Sequence, residues 1–298
     1  MKVNQQNVEL AFRGFQTVYN TAFEGTETHC DTIAMVVESS TSEENYGWLG
    51  QFPDLREWIG DRVLKQLASH GFKIVNKKYE STVVVPREDV EDDRHGVYRP
   101  MFSEMGRVGR VHPDKMLFTL LGTGFDALCY DGETFFNDAH PVSGLPGDTS
   151  ADTLSNVQDG TGPAWYLLDL SRAVKPLIWQ ERVAYDLQAV TDPRTYSVVM
   201  SDEFIFAIRA RVNAGLGLWQ LAFASKAPLT PENYAAARAA MMEFTGDGDQ
   251  LLGVVPTHLV VPPALEADGR SLLTAATVDS SSNVWNGSAG LIVTPYLR

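Results

Sequence analysis

At 298 residues the chain is long enough for one large domain or two modest ones. Its hydrophobic content of 44% and charged content of 21% are those of a folded protein, and a formal net charge of −14 excludes a dedicated nucleic-acid binder, which needs a basic patch. No run of about 18 apolar residues is present, which excludes a membrane-spanning helix. The segment MKVNQQNVELAFRGF has no secretory apolar core, so assembly in a cytoplasm is expected.

In chain order, residues 4–24 read as an amphipathic helix. Val8, Phe12, Phe15 and Tyr19 recur at steps of four, three and four, with Asn4 or Asn7 as cap. Such a helix docks either on its own core or on a neighbouring subunit. Residues 41–72 are different. Gly47, Gly50, Pro53, Gly60 and Gly71 interrupt any long helix, and only 56–69 can hold a short helical stretch. Tyr46, Trp48, Phe52 and Trp58 fall within this excursion, and neither helical nor strand periodicity places all four rings on one buried face. Residues 73–86, KIVNKKYESTVVVP, are β-branched and form a strand that Pro86 ends. The charge run 86–94, PREDVEDDR, is a solvated face or a set of ion pairs with a neighbour's arginines.

A second long helix is expected over 99–123. Pro100 suits its first turn, and Met101, Met105, Val108, His112, Met116 and Leu120 mark its apolar stripe. Pro113 is expected to kink or break it. Residues 131–162 are rich in Gly, Asp, Ser, Thr and Pro and read as a long surface loop. Residues 165–224 are β-rich: WYLLDL, PLIWQERVAY, FIFAIRARVNA and GLWQLAFAS are the strands, with a turn at 213–217. Thr230 and Pro231 open a helix that runs to Gly246, THLVVP is a buried strand, Pro263 opens another helix, and GLIVTPYLR closes the chain as a strand.

The chain carries little that resembles catalytic machinery. Cys30 and Cys129 lie far apart with no CxxC spacing and read as buried thiols. Asp131, Asp138 and His140 lie close together, and a His with two carboxylates can hold a metal ion for hydrolysis. Their spacing fits no zinc or nuclease pattern, and turn stabilisation by short polar side chains is the simpler role. Neither GTG at 122–124 nor AGLG at 214–217 is a dinucleotide fingerprint, and Asn286-Gly287-Ser288 is an Asn-Gly turn before the last strand. No cofactor or metal is expected. The strongest physical case belongs to interface residues: Tyr46, Trp48, Phe52 and Trp58 offer large apolar area, and Arg56 and Arg62 offer bidentate pairing to carboxylates. The same tryptophans can instead pack within their own subunit.

NYGWLGQFPDLREWIGDR, CYDGETFFNDAHPV and RARVNAGLGLWQLAFASK, with THLVVPPALE and the closing LIVTPYLR, resemble the major head subunit (T protein) of Mu-like phages and prophages. The resemblance runs from about Asn45 to Arg298, and the first forty residues match only loosely. It implies an α+β chain with the Hong Kong 97-type phage capsid fold. The parts expected are an N-terminal arm (1–44), an extended E-loop hairpin with its return strand (45–86), a peripheral domain with a spine helix (87–225, the helix about 95–123) and an axial domain (226–298). It also implies a non-catalytic subunit of the virion capsid that assembles with itself as hexamers and pentamers, exchanging E-loop and N-arm, around packaged double-stranded DNA. Scaffold or protease, portal and a decoration protein are the other implied partners. Covalent cross-linking through Asn76, Lys77 or Lys78 has no motif here to support it.

Overall fold

The computed structural model describes residues 5–49, 72–92, 94–142, 152–192, 194–246, 250–278 and 281–297. In chain order these form helices α1 (Gln5–Glu24) and α2 (Cys30–Ile33), then strands β1 (Ala34–Glu38), β2 (Glu43–Asn45), β3 (Lys73–Val75) and β4 (Lys77–Pro86). Helices α3 (Arg87–Glu91) and α4 (His95–Gly122) follow, then β5 (His140–Val142), β6 (Asp152–Leu154), β7 (Val157–Gln158), β8 (Trp165–Leu168) and β9 (Leu177–Val190). Next come α5 (Tyr196–Ser201), β10 (Glu203–Leu216), β11 (Ala222–Ser225), α6 (Pro231–Met242), β12 (Thr245–Gly246), β13 (Gln250–Leu251) and β14 (His258–Val261). The chain closes with α7 (Glu266–Thr274), β15 (Thr277–Val278), β16 (Ser281–Ser282) and β17 (Gly290–Val293).

Two sheets organise the molecule. The first runs β1-β9-β10-β4, with β1 parallel to β9 and the other pairs antiparallel. Its helix-facing side meets α1 and α4 over Phe15, Tyr19, Phe102, Met105, Phe204 and Phe206, where Phe15 stacks on Phe102 at 4.2 Å and both meet Phe206 edge-on. The second runs β17-β14-β8-β11-β7 and carries the larger core, including Trp165, Trp219, Tyr234 and the far end of α4 at Leu117, Phe118 and Leu121. The β-rich 165–224 block is therefore divided between two sheets. β9 and β10 belong to the first, while β8 and β11 join the C-terminal strands β14 and β17. The expected boundary at residue 225 cuts through the second sheet.

α4 is longer than its sequence pattern suggests and buries a different face. It runs through Pro113 without a break. A proline costs a helix interior about 3 kcal/mol, but Phe102 and Met105 hold one half in the first core and Leu117, Phe118 and Leu121 hold the other half in the second. Met101 and Val108, expected in the buried stripe, are exposed. The buried face is Phe102, Met105, Gly106, Gly109, Pro113, Leu117, Phe118 and Leu121. The shift has a cause: α1 crosses at Gly106, where an added Cβ would lie 2.4 Å from the Tyr19 carbonyl oxygen. Two small residues on α4 set which side α1 can approach.

The arm expected over 1–44 is built into its own subunit. α1 lies on α4, β1 forms the edge of the first sheet, and β2 pairs antiparallel with β3. Asp31 pairs with Arg110 at 3.5 Å, and Asp114 on α4 accepts the His29 backbone N–H at 2.8 Å. Two further expectations are revised. β10 continues through 213–216, because Gly215 lets Ile74 lie directly against the strand, and the turn starts at Gly217. The 131–162 segment is no simple surface loop, since Phe135, Phe136, His140 and Asn156 are buried within it.

Candidate functional site

The first candidate is the root of the 46–72 excursion. The antiparallel register of β2 and β3 pairs Asn45 with Lys73, so the chain leaves and returns at one place. The root is tied by a continuous polar chain. The Tyr46 hydroxyl donates to Gln180 Oε1 at 2.8 Å, and Gln180 Nε2 donates to the Ile74 carbonyl at 3.1 Å and to Asn76 Oδ1 at 2.9 Å. Asn76 Nδ2 in turn donates to Ser39 Oγ at 2.8 Å. Glu44 Oε1 accepts the Ser40 N–H and the Ser39 hydroxyl, both at 2.9 Å. The backbone bond from Ser40, followed by the Ser39 hydroxyl, holds its carboxyl below the usual range. Lys73 and Glu43 bridge the outside of the root at 2.9 Å.

This geometry sorts the expected contact residues. Tyr46 is 4% exposed, and burial, then the Glu44 charge, pushes its phenol up to about 12. Its ring and hydroxyl are used inside its own subunit, which removes it as an anchor for a neighbour. Trp48 is half-buried, meets Tyr46 edge-on with centroids 6.4 Å apart, and packs against the larger core. Phe52, Arg56, Trp58 and Arg62 lie outside the described residues.

The second candidate is the acid–histidine group near residue 131. The structure joins Asp131 to His140 through Nδ1 and Oδ2 at 2.7 Å, and adds Cys129, whose thiol donates to Asp131 Oδ1 at 2.9 Å. Their donor atoms lie within 4.8 Å of one another. Asp138 is exposed and is no part of this group. Cys129 was not expected in it, because its nearness to His140 depends on the turn that returns Glu133 to pair with Cys129. Burial pushes the Asp131 carboxyl up, but the bonds from His140 and Cys129 outweigh it and hold the carboxyl below its ordinary range. Burial, then the bond to Asp131, pushes the Cys129 thiol up, so it stays protonated and non-nucleophilic. His140 is fully buried and stacks on Trp219 at 3.9 Å with an interplanar angle of 7°. Joined to one another and stacked on Trp219, these side chains pin the loop to the second core.

The charge run at 86–94 is mostly satisfied locally. Arg87 pairs with Glu91 and Asp202, Arg94 pairs with Asp89 and Asp92, and the Tyr98 hydroxyl donates to Asp89.

Comparison with known proteins gives these features a context. The sequence profile of the Mu-like prophage major head subunit gpT matches residues 8–297. The chain is similar to the major capsid protein of Escherichia phage Mu, at 43% identity over the whole of both chains. It is also similar to the Mu-like prophage FluMu major head subunit of Haemophilus influenzae, at 43% identity over 89% of this chain and 88% of that one. Among solved structures it is similar to the subunit of the bacteriophage JBD30 procapsid, with a TM-score of 0.89, 39% identity and coverage of 99% of this chain and 100% of that one. The subunit of the JBD30 capsid gives 0.77 at 31% identity, covering 92% of each chain. The chain belongs to the Mu-like major head subunit family.

Proposed function

We infer that this protein is the major capsid protein of a Mu-like phage or prophage, with copies forming the icosahedral shell of the virion. The observation that carries the reading is the end-to-end match in fold and sequence to the JBD30 procapsid subunit, at a TM-score of 0.89. The Hong Kong 97-type parts follow in order: α1 to β1 as the N-terminal region, 46–72 as the E-loop, α4 as the spine helix against the first sheet, and the second sheet with α6 and α7 as the axial part.

In the finer reading, copies group as hexamers and pentamers and the 46–72 excursion of each lies on a neighbour. Its polar root fixes the direction of departure, and Trp48, Phe52 and Trp58 are the apolar anchors, with Arg56 and Arg62 pairing to carboxylates. Each contact can be weak because many act together in a closed shell. The subunit is non-catalytic and takes no cofactor. Scaffold or protease, portal and decoration protein are its further partners. Packaged double-stranded DNA contacts the shell weakly, as the charge of −14 requires.

Sedimentation of the Trp48→Ala, Trp58→Ala double variant tests the anchors. The expected result is subunits or small capsomers that keep the wild-type circular dichroism spectrum. Closed shells in normal yield would contradict the assignment.

A further inference from the structure

The face of the first sheet away from α1 and α4 carries an uneven charge distribution, with several charges left unpaired among the described residues. At the end where β4 begins, Lys77 and Lys78 are exposed, and Lys78 lies directly opposite Arg211 in the register. Like charges paired across strands are destabilising. Among the described residues, Lys77, Lys78, Arg182 and Arg211 have no ion-pair partner, and Arg211 Nε is buried with no hydrogen bond. Arg209, the next cation along, differs: its register neighbours are Glu80 and Asp186, of opposite sign.

The other end of the sheet is acidic. Pro86 pairs with Glu203 there, and α3 and the β9–β10 connection bring further carboxylates beside them. Arg87 and Arg94 are each shared between two carboxylates, while Glu88 and Glu203 have no ion pair among the described residues. A strand rises about 3.3 Å per residue, so Lys78 and Pro86 are separated by roughly 26 Å. One chain cannot bring these two ends together.

We propose that the basic end of this sheet, around Lys78 and Arg211, docks on the acidic end, around Glu88 and Glu203, of a second copy. The contact is head-to-tail, so it uses two different surfaces and closes into rings of subunits. It rests on the capsid reading, which supplies copies at high local concentration. Charge complementarity selects the partner: the unpaired cations of one copy face the unpaired carboxylates of the next, and the repulsion between Lys78 and Arg211 is relieved on assembly. In a chain of net charge −14 such a contact also sets the orientation of approach.

Zero-length carbodiimide coupling of shells made from a mixture of ¹⁴N- and ¹⁵N-labelled chains tests this directly. The expected product is an amide between Lys77 or Lys78 and Glu88 or Glu203, with mixed isotope labels proving two copies. In parallel, Lys78→Glu with Arg211→Glu should raise the concentration needed for assembly about tenfold. Adding Glu88→Lys and Glu203→Lys to the same chain should return it to within about threefold of wild type. Shells that form without the mixed-label amide, or a four-site variant as deficient as the two-site one, overturn the proposal while leaving the capsid reading intact. So do two-site shells that close normally but lose DNA retention, since the basic end then faces the genome. Failure of the unaltered chain to form shells under any condition counts against the capsid reading itself, and this proposal falls with it.

Discussion

Gly106→Ala is the most informative single substitution in the subunit. Its Cβ would sit 2.4 Å from the Tyr19 carbonyl oxygen, 3.1 Å from the Phe23 nitrogen and 3.2 Å from Ala22 Cβ. The first two are backbone atoms, so no rotamer change relieves the clash, and α1 must retreat by about 1 Å to restore ordinary contact. That retreat loosens Phe15 against Phe102 and Tyr19 against α4. Overpacking of this kind costs about 1–3 kcal/mol, and the greater helix propensity of alanine returns about 1 kcal/mol. A rigid backbone obstacle puts the steric cost at the upper end, so a net loss of about 2 kcal/mol is expected, or a melting temperature lower by roughly 4 °C for a chain of this size. Gly14→Ala is the matched control, because it lies exposed on α1 with nothing within 4 Å of its added Cβ. It should stabilise by about 0.5–1 kcal/mol. Urea unfolding of the unassembled subunit measures both. If Gly106→Ala is as stable as wild type, the crossing of α1 on α4 is not as close as described and the account of the shifted helix face fails.

Three further outcomes are expected. Asp114→Ala removes the acceptor for the His29 N–H, at a cost of about 1–2 kcal/mol, and hydrogen exchange at His29 should accelerate. Unchanged protection at that amide would refute the tether. Asp131 has a folded pKa below its unfolded value, so its contribution is present above pH about 4 and is lost as pH falls through the folded pKa. Acid titration of Asp131→Asn should therefore show a smaller loss of stability below pH 4 than wild type. His112 is bonded to Tyr185 and meets Tyr79 edge-on; burial, then the Lys115 charge, lowers its pKa. The unfolded chain then takes up the proton first, so stability should decline as pH drops below about 6.5, and thermal melts of His112→Phe should show a weaker decline.

Periodicity served well where an element buries one face against one neighbour. α1 and the strands β8, β9, β10 and β14 stand where alternation and β-branched runs place them. By contrast, α6 ends at Met242 rather than at Gly246, which lies in β12, and the strand expected over 73–86 breaks at Asn76 into β3, paired with β2, and β4, paired with β10. Thr230 does cap α6, its hydroxyl accepting the Asn233 N–H. Such reasoning failed where burial depends on a distant partner. The α4 stripe slid because Gly106 and Gly109, silent in a hydrophobicity pattern, are where α1 approaches. The 165–224 strands look alike, and it is the pairing of β9 with β10, and of β8 with β11 and β14, that separates them into two sheets. Tyr46 looks like one more ring in an aromatic cluster, yet Gln180, far along the chain, captures its hydroxyl. The Asp131–His140 pair was legible as nearness in sequence, while its burial under Trp219 was not.

Electron cryo-microscopy of particles assembled from the purified chain, alone or with its co-expressed head proteins, tests the central claim most directly. The account predicts closed icosahedral shells in which α4 and the two sheets fit the subunit density and the 46–72 segment crosses onto a neighbouring subunit. Monomers or open aggregates under all conditions, or shells in which that segment stays on its own subunit, would contradict it.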